Sequence, residues 1–159
     1  MRVAEVLPGK LAAAGVTGPR IGELIRDGYL DLDGRRIMLE DVSEPRPGQR
    51  FAFVMDTGLC DAAFELAADA DLLVCEATFG QGQAGLARQA GHLTAAQAGQ
   101  IAAESGARLL VLTHFSQRYE NEGTSQLRAE AETAFRGQLI LARDLDRISV
   151  PARPAAALA

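Results

Sequence analysis

Three polar residues stand directly after apolar segments that the sequence pattern predicts to be strands. Asp56 follows RFAFVM, Glu76 follows DLLVC and His114 follows RLLVLT. In α/β sheets whose strands are joined by helices, ligands bind at the carboxyl ends of the strands, so these side chains could share one edge of the sheet. Carboxylate and imidazole groups are suitable ligands for a divalent metal such as Zn²⁺. The pattern therefore predicts a candidate metal site.

Each of these residues also has an ordinary structural explanation. An Asp after a strand is often a turn or cap residue, a Glu there is usually solvated, and a His beside apolar residues is commonly a hydrogen-bonded core residue. His92, the other histidine, lies in AGHLTAAQ just before a predicted helix, where a capping or loop role would be ordinary. Both histidines nevertheless fall at strand–helix junctions, which keeps the site hypothesis open.

The elements that must position these residues alternate along the chain. From residue 50 onward, the β-type runs RFAFVM, DLLVC, RLLVLT and QLILA alternate with helical patterns over about 60–68, 94–105 and 125–136. This alternation predicts an α/β layer structure with helices on at least part of the sheet. Thr94 can cap the second helix, with Gln97 at the reciprocal position of a capping box.

The first fifty residues have a different pattern. Gly and Pro interrupt residues 3–27, which we expect to be a connection with one short helical run, IGELIRDG, ending at a glycine suited to a C-cap. YLDLDGRRIMLEDV predicts a β-hairpin that turns at Asp33–Gly34, and SEPRPGQR predicts a loop with two prolines. Residues 1–150 are predicted to form one domain, followed by a frayed tail at 151–159.

Composition narrows the classes of function. The chain has 16 basic and 21 acidic residues, a net charge of −5 and no basic block, so any nucleic-acid contact must be local. No apolar run reaches the roughly 18 residues of a membrane span, and the N-terminus lacks a signal-peptide core. We therefore expect a cytoplasmic protein without a membrane partner. Cys60 and Cys75 have no CxxC spacing, and Cys75 is expected to be a core residue.

Four motifs, FVMDTG, LLVCEATF, AGHLTAAQAGQIA and LLVLTHFSQRY, occur in this order. Together with the earlier segment GPRIGELIRDG, they resemble the C-terminal half of RNase Z, a family of metallo-β-lactamase-fold endoribonucleases that cut the 3′ trailer from precursor tRNA. The resemblance covers about residues 8–145, and THFSQRY is its most distinctive motif. It implies an α/β fold, the C-terminal half of a metallo-β-lactamase αββα sandwich with a mixed sheet and covering helices.

The resemblance also implies roles for individual residues. Asp56 would be the metal ligand that bridges two zinc ions, and His114 would bind one of them. Glu76 and His92 would be the paired catalytic residues that help protonate the leaving oxygen. A carboxylate hydrogen-bonded to an imidazole fixes the tautomer of the ring, as a general acid requires. Zinc would activate the attacking water and neutralise phosphate charge.

Arg118, in THFSQRY, would bind the scissile phosphate, because a guanidinium suits that geometry better than an ammonium group. A surface ion pair with Glu120 is the alternative. Two departures from the family stand beside functional positions: Met55 replaces the usual Gly, and Leu93 replaces the usual Ser. Both leave the proposed ligands in place.

The largest departure is that the sequence lacks the family's His-x-His-x-Asp-His motif, which supplies most of the zinc ligands. We therefore expect partial or no zinc occupancy, no turnover by the chain alone, and a partner that is either a missing N-terminal half or a second copy. Truncation is the favoured explanation, with a split enzyme and a degenerate descendant as alternatives. The functional alternatives are a non-catalytic interaction or tRNA-binding module, and a hydrolase of small phosphodiesters.

Overall fold

The computed structural model describes residues 2–119 and 123–153. These residues fall into two compact units, one up to Gly48 and one over Gln49–Ala152. The expectation of one domain across residues 1–150 stays a prediction, and the tail beyond residue 153 lies outside the described residues.

The first unit contains two antiparallel strand pairs and two helices. Its elements are β1 (Arg2–Val6), α1 (Pro8–Ala13), α2 (Pro19–Asp27), β2 (Tyr29–Leu32), β3 (Arg35–Met38) and β4 (Ser43–Pro47). Strand β1 pairs with β4, and β2 pairs with β3. A small apolar cluster forms around Leu11, Val16, Leu24 and Val42, so this unit has a core of its own.

Local turn chemistry explains part of this unit. The predicted hairpin is confirmed: Asp33 and Gly34 have φ of 51° and 76° between β2 and β3, the positive values that a two-residue hairpin turn requires. Helix α2 ends at Asp27, and the following Gly28 caps it in the left-handed conformation that glycine adopts readily.

The loop predicted for SEPRPGQR is wrong over 43–47, because this segment forms β4 and pairs with β1, with Pro45 opposite Ala4. In a two-stranded pair each strand has an unpaired edge, where a residue without an N–H is tolerated. The expected connection over residues 3–27 likewise contains β1, α1 and α2.

The second unit is a parallel sheet with helical crossovers. Its strands and helices are β5 (Phe51–Val54), α3 (Asp61–Ala67), β6 (Leu72–Glu76), α4 (Ala84–Ala90), α5 (Ala95–Glu104), β7 (Leu109–Thr113), α6 (Gly123–Ala131) and β8 (Gln138–Leu141). The strands follow the order β5-β6-β7-β8, and all neighbours are parallel. The expected mixed sheet is thus a parallel sheet here, with the described antiparallel pairs confined to the other unit.

Helices α3, α5 and α6 pack on one face of this sheet. Their small apolar residues, among them Ala67, Ala102 and Ala131, join Leu73, Leu110 and other strand residues in the main core. The predicted capping box of α5 is confirmed, since the Gln97 amide donates to Thr94 Oγ1 and the Thr94 amide donates to the Gln97 side chain. No helix within the described ranges is long and apolar enough to cross a membrane.

The opposite face of the sheet is apolar as well. Leu72, Leu109 and Val111 are buried there, with Ile148 and Val150 packed against them. On edge strand β5, Phe51 and Phe53 stay 58% and 54% exposed, and their stacked rings lie 6.5 Å apart. This end of the face therefore presents exposed aromatic surface.

We predict that this aromatic surface causes self-association. The double variant Phe51→Ser/Phe53→Ser should bind less of an apolar dye and sediment closer to monomer mass than the wild type, because it removes two exposed rings from one edge. Leu145→Ser is the matched control, since Leu145 is 99% exposed. A wild-type chain that is monodisperse, monomeric and without dye binding would contradict the prediction.

A second prediction concerns the contact between α5 and α6. A Cβ on Gly99 would collide with the Ala131 carbonyl oxygen, so Gly99→Ala must push the two helices apart. We expect it to lower the free energy of unfolding by about 1–3 kcal/mol, the usual cost of overpacking. Gly85→Ala in α4 is the control, because its Cβ would meet no atom within 4 Å. Equal urea midpoints for both variants would show that the helices repack freely.

Candidate active site

The carboxyl ends of β5 and β7 bring Asp56 and His114 together. His114 Nε2 lies 3.3 Å from Asp56 Oδ1, so the convergence predicted from the strand-end pattern is present. Both residues turn the chain sharply, with φ of 50° and 57°. Asp and His tolerate this left-handed conformation better than most residues, which suits these residue types to the two positions.

Glu76, the last residue of β6, is fully buried below this pair. Its Oε1 accepts from the Thr57 amide at 2.7 Å. Its Oε2 accepts from Thr78 Oγ1 at 2.6 Å and from the Leu93 amide at 3.2 Å, and lies 2.9 Å from His92 Nδ1. Four donors around one carboxylate compensate its removal from water.

His92 is placed by the connection between α4 and α5. Its amide donates to the Ala87 carbonyl at 2.9 Å, and the following segment forms a parallel bridge between Thr94 and Phe79. The ring thereby reaches Glu76, as the resemblance implied for this pair. Leu93 contacts Glu76 through its backbone while its side chain is fully buried, so the departure from Ser leaves this contact unchanged.

Asp56, His92 and His114 could together hold a metal ion, since each offers a ligand atom and these atoms lie within 4.8 Å of one another. The two imidazole rings are 5.3 Å apart. One carboxylate and two imidazoles fit a catalytic zinc centre, which uses three protein ligands and an open position. The ligand and acid–base roles of these residues stay predictions.

Two threonines in the site were missed by the sequence analysis. The Thr57 amide and the Thr78 hydroxyl both bind Glu76, and Thr78 Oγ1 also lies 2.9 Å from His114 Nδ1. One signal was present in the sequence, because Thr78 stands two positions after Glu76 and alternate residues of an extended segment point the same way.

Arg118 is exposed on the short 3₁₀ turn Gln117–Tyr119. Its guanidinium carbon lies 5.9 Å from the centre of the Phe79 ring, which in turn tilts against His92 at 6.2 Å. Glu120, the alternative ion-pair partner, lies outside the described residues. The adjacent Tyr119 hydroxyl accepts from the Gly80 amide at 2.7 Å, which ties this turn to the segment after β6.

Both cysteines are free, and neither joins the site as a ligand of the described cluster. Burial, and secondarily the charge of Glu76, raises the pKa of Cys75 to about 12. Its thiol therefore stays protonated near neutral pH, where it is a poor metal ligand and nucleophile. This agrees with the core role predicted for Cys75.

The fold and site match known proteins. Residues 42–115 match the family described as Beta-lactamase superfamily domain. The metallo-β-lactamase fold protein YhfI from Bacillus subtilis is 33% identical with a TM-score of 0.53, over 58% of this chain and 36% of that one. Human tRNase Z, short form, is 33% identical with a TM-score of 0.50, over 66% and 35% of the two chains. The site thus lies on a metallo-β-lactamase fold.

Curated relatives narrow the class further. Ribonuclease Z from Salinispora arenicola is 56% identical over 148 residues, which are 93% of this chain and 47% of that protein. Ribonuclease Z from Nocardia farcinica is 57% identical over 93% of this chain and 48% of that protein. Over almost all of its length the chain is similar to ribonuclease Z, and it spans about half the length of the curated relatives it matches.

The hydrogen bonds of Glu76 lead to a stability prediction. Glu76→Gln replaces an acceptor by an amide NH₂ that faces donors, and should lower the free energy of unfolding by about 1–3 kcal/mol. Glu65→Gln on α3 is the control, because Glu65 is exposed. Urea unfolding measures the difference in free energy of unfolding between the two variants, provided that its dependence on urea concentration has the same slope in both. Equal midpoints for the two variants would contradict the importance of the buried carboxylate.

Proposed function

We propose that this chain carries part of the active site of a zinc-dependent RNase Z, an endoribonuclease that hydrolyses a phosphodiester at the 3′ end of precursor tRNA. The observation that supports this most directly is the convergence of Asp56, His92 and His114 above the buried Glu76. The names of the relatives, ribonuclease Z and tRNase Z, supply the reaction and the substrate class.

Asp56 and His114 are the residues that would hold metal, because Oδ1 and Nε2 approach to 3.3 Å on an open edge. When bound, zinc would activate water and neutralise the charge of the phosphate. Two ions need more ligands than this chain offers, since a catalytic zinc ordinarily has three protein ligands. The proposal therefore includes a partner that supplies the remaining ligands, either an N-terminal half or a second copy.

His92 acts as the general acid in this proposal. Its Nδ1 is held by Glu76 at 2.9 Å, which leaves Nε2 to carry a proton toward the leaving oxygen. The buried carboxylate orients the ring and stabilises its protonated form, as the aspartate does in a Ser-His-Asp triad. His92 also offers a ligand atom within 4.8 Å of those of Asp56 and His114, so it could instead bind the metal. The effect of its substitution on zinc affinity decides between the general-acid role and the ligand role.

Arg118 binds the scissile phosphate in this proposal. It is exposed and makes no ion pair with any residue in the described ranges, so its charge is available to a substrate. A single guanidinium beside the site provides the local nucleic-acid contact that a chain of net charge −5 requires. With precursor tRNA as the substrate, the proposal includes a cytoplasmic location and no membrane partner.

The proposal predicts how activity depends on a complementing half. The chain alone should bind zinc weakly and show no phosphodiesterase turnover. Mixed with the N-terminal half of the Salinispora arenicola ribonuclease Z, it should gain zinc-dependent cleavage of precursor tRNA. His114→Ala should abolish this activity by removing a ligand, whereas His92→Ala should slow it by roughly 10²–10⁴-fold and leave zinc affinity unchanged.

Arg136→Ala is the control for these variants, because Arg136 is an exposed residue outside the described site. Cleavage that is indifferent to both histidine substitutions would assign the histidines a structural role. Binding of tRNA by the complemented protein without any cleavage would favour the non-catalytic module, and cleavage restricted to small phosphodiesters would favour a different hydrolase of the fold.

A further inference from the structure

Thr78 lies between a buried acceptor and a candidate metal ligand. Its Oγ1 donates to Glu76 Oε2 at 2.6 Å and lies 2.9 Å from His114 Nδ1. Thr78 is 7% exposed and Glu76 is fully buried, so water has little access to either contact. The His92 ring and the Leu93 amide also contact Glu76 Oε2, at 2.9 and 3.2 Å, so the two contacts of Thr78 depend on its own hydroxyl proton and on the His114 ring.

A proton count determines the direction of both hydrogen bonds. The threonine hydroxyl has one proton, and an ionised carboxylate can only accept. The 2.6 Å separation is typical of a charge-assisted O–H···O⁻ bond, so the hydroxyl proton lies toward Glu76. Thr78 Oγ1 then has lone pairs toward His114, and the short contact requires a proton on Nδ1 of that ring.

We propose that Thr78 is a positioning residue that fixes His114 as the Nδ1–H tautomer and so directs the unprotonated Nε2 toward Asp56. The assignment of the tautomer depends on the hydrogen bonds alone. Its consequence for metal binding rests on the proposed function.

The other tautomer would disable the ligand pair. With a proton on Nε2, His114 would face Asp56 Oδ1 as a donor across 3.3 Å, and Nε2 could not bind a metal without losing that proton. With Nδ1 protonated, both atoms present lone pairs to the same space, which is the arrangement a cation stabilises. Hydrogen-bond partners of metal-bound histidines generally act in this way.

The backbone keeps Thr78 in register with His114. The Ala77 amide donates to the Thr113 carbonyl at 2.9 Å, and the Ser116 amide donates to the Thr78 carbonyl at 3.2 Å. These two bonds flank His114 on both sides, so the hydroxyl and the ring are held by neighbouring extended segments. The backbone pairing therefore holds the two residues that make the contact next to each other at the end of the sheet.

The tautomer can be measured directly in the zinc-free full chain. The chain has two histidines, so long-range ¹H–¹⁵N correlation spectra contain two ring systems, and His114→Ala assigns them. About two pH units above the ordinary histidine pKa of roughly 6.5, His114 should show a protonated Nδ1 and an unprotonated Nε2. A protonated Nε2 in the wild-type chain would overturn the proposal, whatever the variants do.

Two substitutions separate the hydroxyl from the volume of the side chain. Thr78→Val removes the hydroxyl and should move His114 toward the Nε2–H form that imidazoles favour in water. Thr78→Ser keeps the hydroxyl and should retain the Nδ1–H form. In zinc titrations, Thr78→Val should weaken binding by roughly 10–100-fold, the usual effect of losing such a partner, with Thr78→Ser close to wild type.

A Thr78→Val chain that keeps the Nδ1–H form would overturn the proposal. If Thr78→Val does not fold, the wild-type and Thr78→Ser spectra still decide, because both must show Nδ1–H. Failure of the proposed function is distinguishable from failure of this inference: absent cleavage in the complemented protein leaves the zinc-free spectra unchanged.

Discussion

A carboxylate that is taken out of water must be surrounded by donors, and the site depends on this constraint at Glu76. Its donors come from three places: the Thr57 amide in the loop after β5, the Thr78 hydroxyl after β6, and His92 with Leu93 before α5. The buried carboxylate is stable only when all of these donors reach it. The loops that carry Asp56 and His92 are therefore held in place by their hydrogen bonds to Glu76.

The segment after Glu76, residues 77–79, also holds the neighbouring loops through backbone hydrogen bonds. Phe79 exchanges backbone hydrogen bonds with the segment before α5, donating to the Leu93 carbonyl and accepting from the Ala95 amide. On the other side, Ala77 and Thr78 bond to the chain around His114. Such support is needed because a left-handed conformation costs a non-glycine residue about 1–2 kcal/mol, and both Asp56 and His114 adopt it.

Sequence reasoning located the groups whose positions follow from strand ends, because short apolar runs predict parallel strands and, to within a residue, where they end. It failed where pairing decides the structure: the prolines of SEPRPGQR indicated a loop, yet pairing with β1 makes residues 43–47 a strand. The Leu93 amide contact with Glu76 could not be foreseen, since it uses a backbone group that every residue but proline has. Thr78 could have been found by its spacing from Glu76.

The exposed fraction of the side chains increases from Glu76 to the outer residues of the site. This gradient predicts which substitutions affect folding most. The Glu76 side chain is 0% exposed, that of His92 is 23%, and those of His114 and Asp56 are 42% and 69%. A buried group loses its interactions when it is changed, so changes at Glu76 act mainly on folding. The side chains of His114 and Asp56 are more exposed, so changes there should affect the free energy of unfolding less. The buried carboxylate thus supports the loops below, while the candidate metal-binding side chains lie on the exposed side of the site.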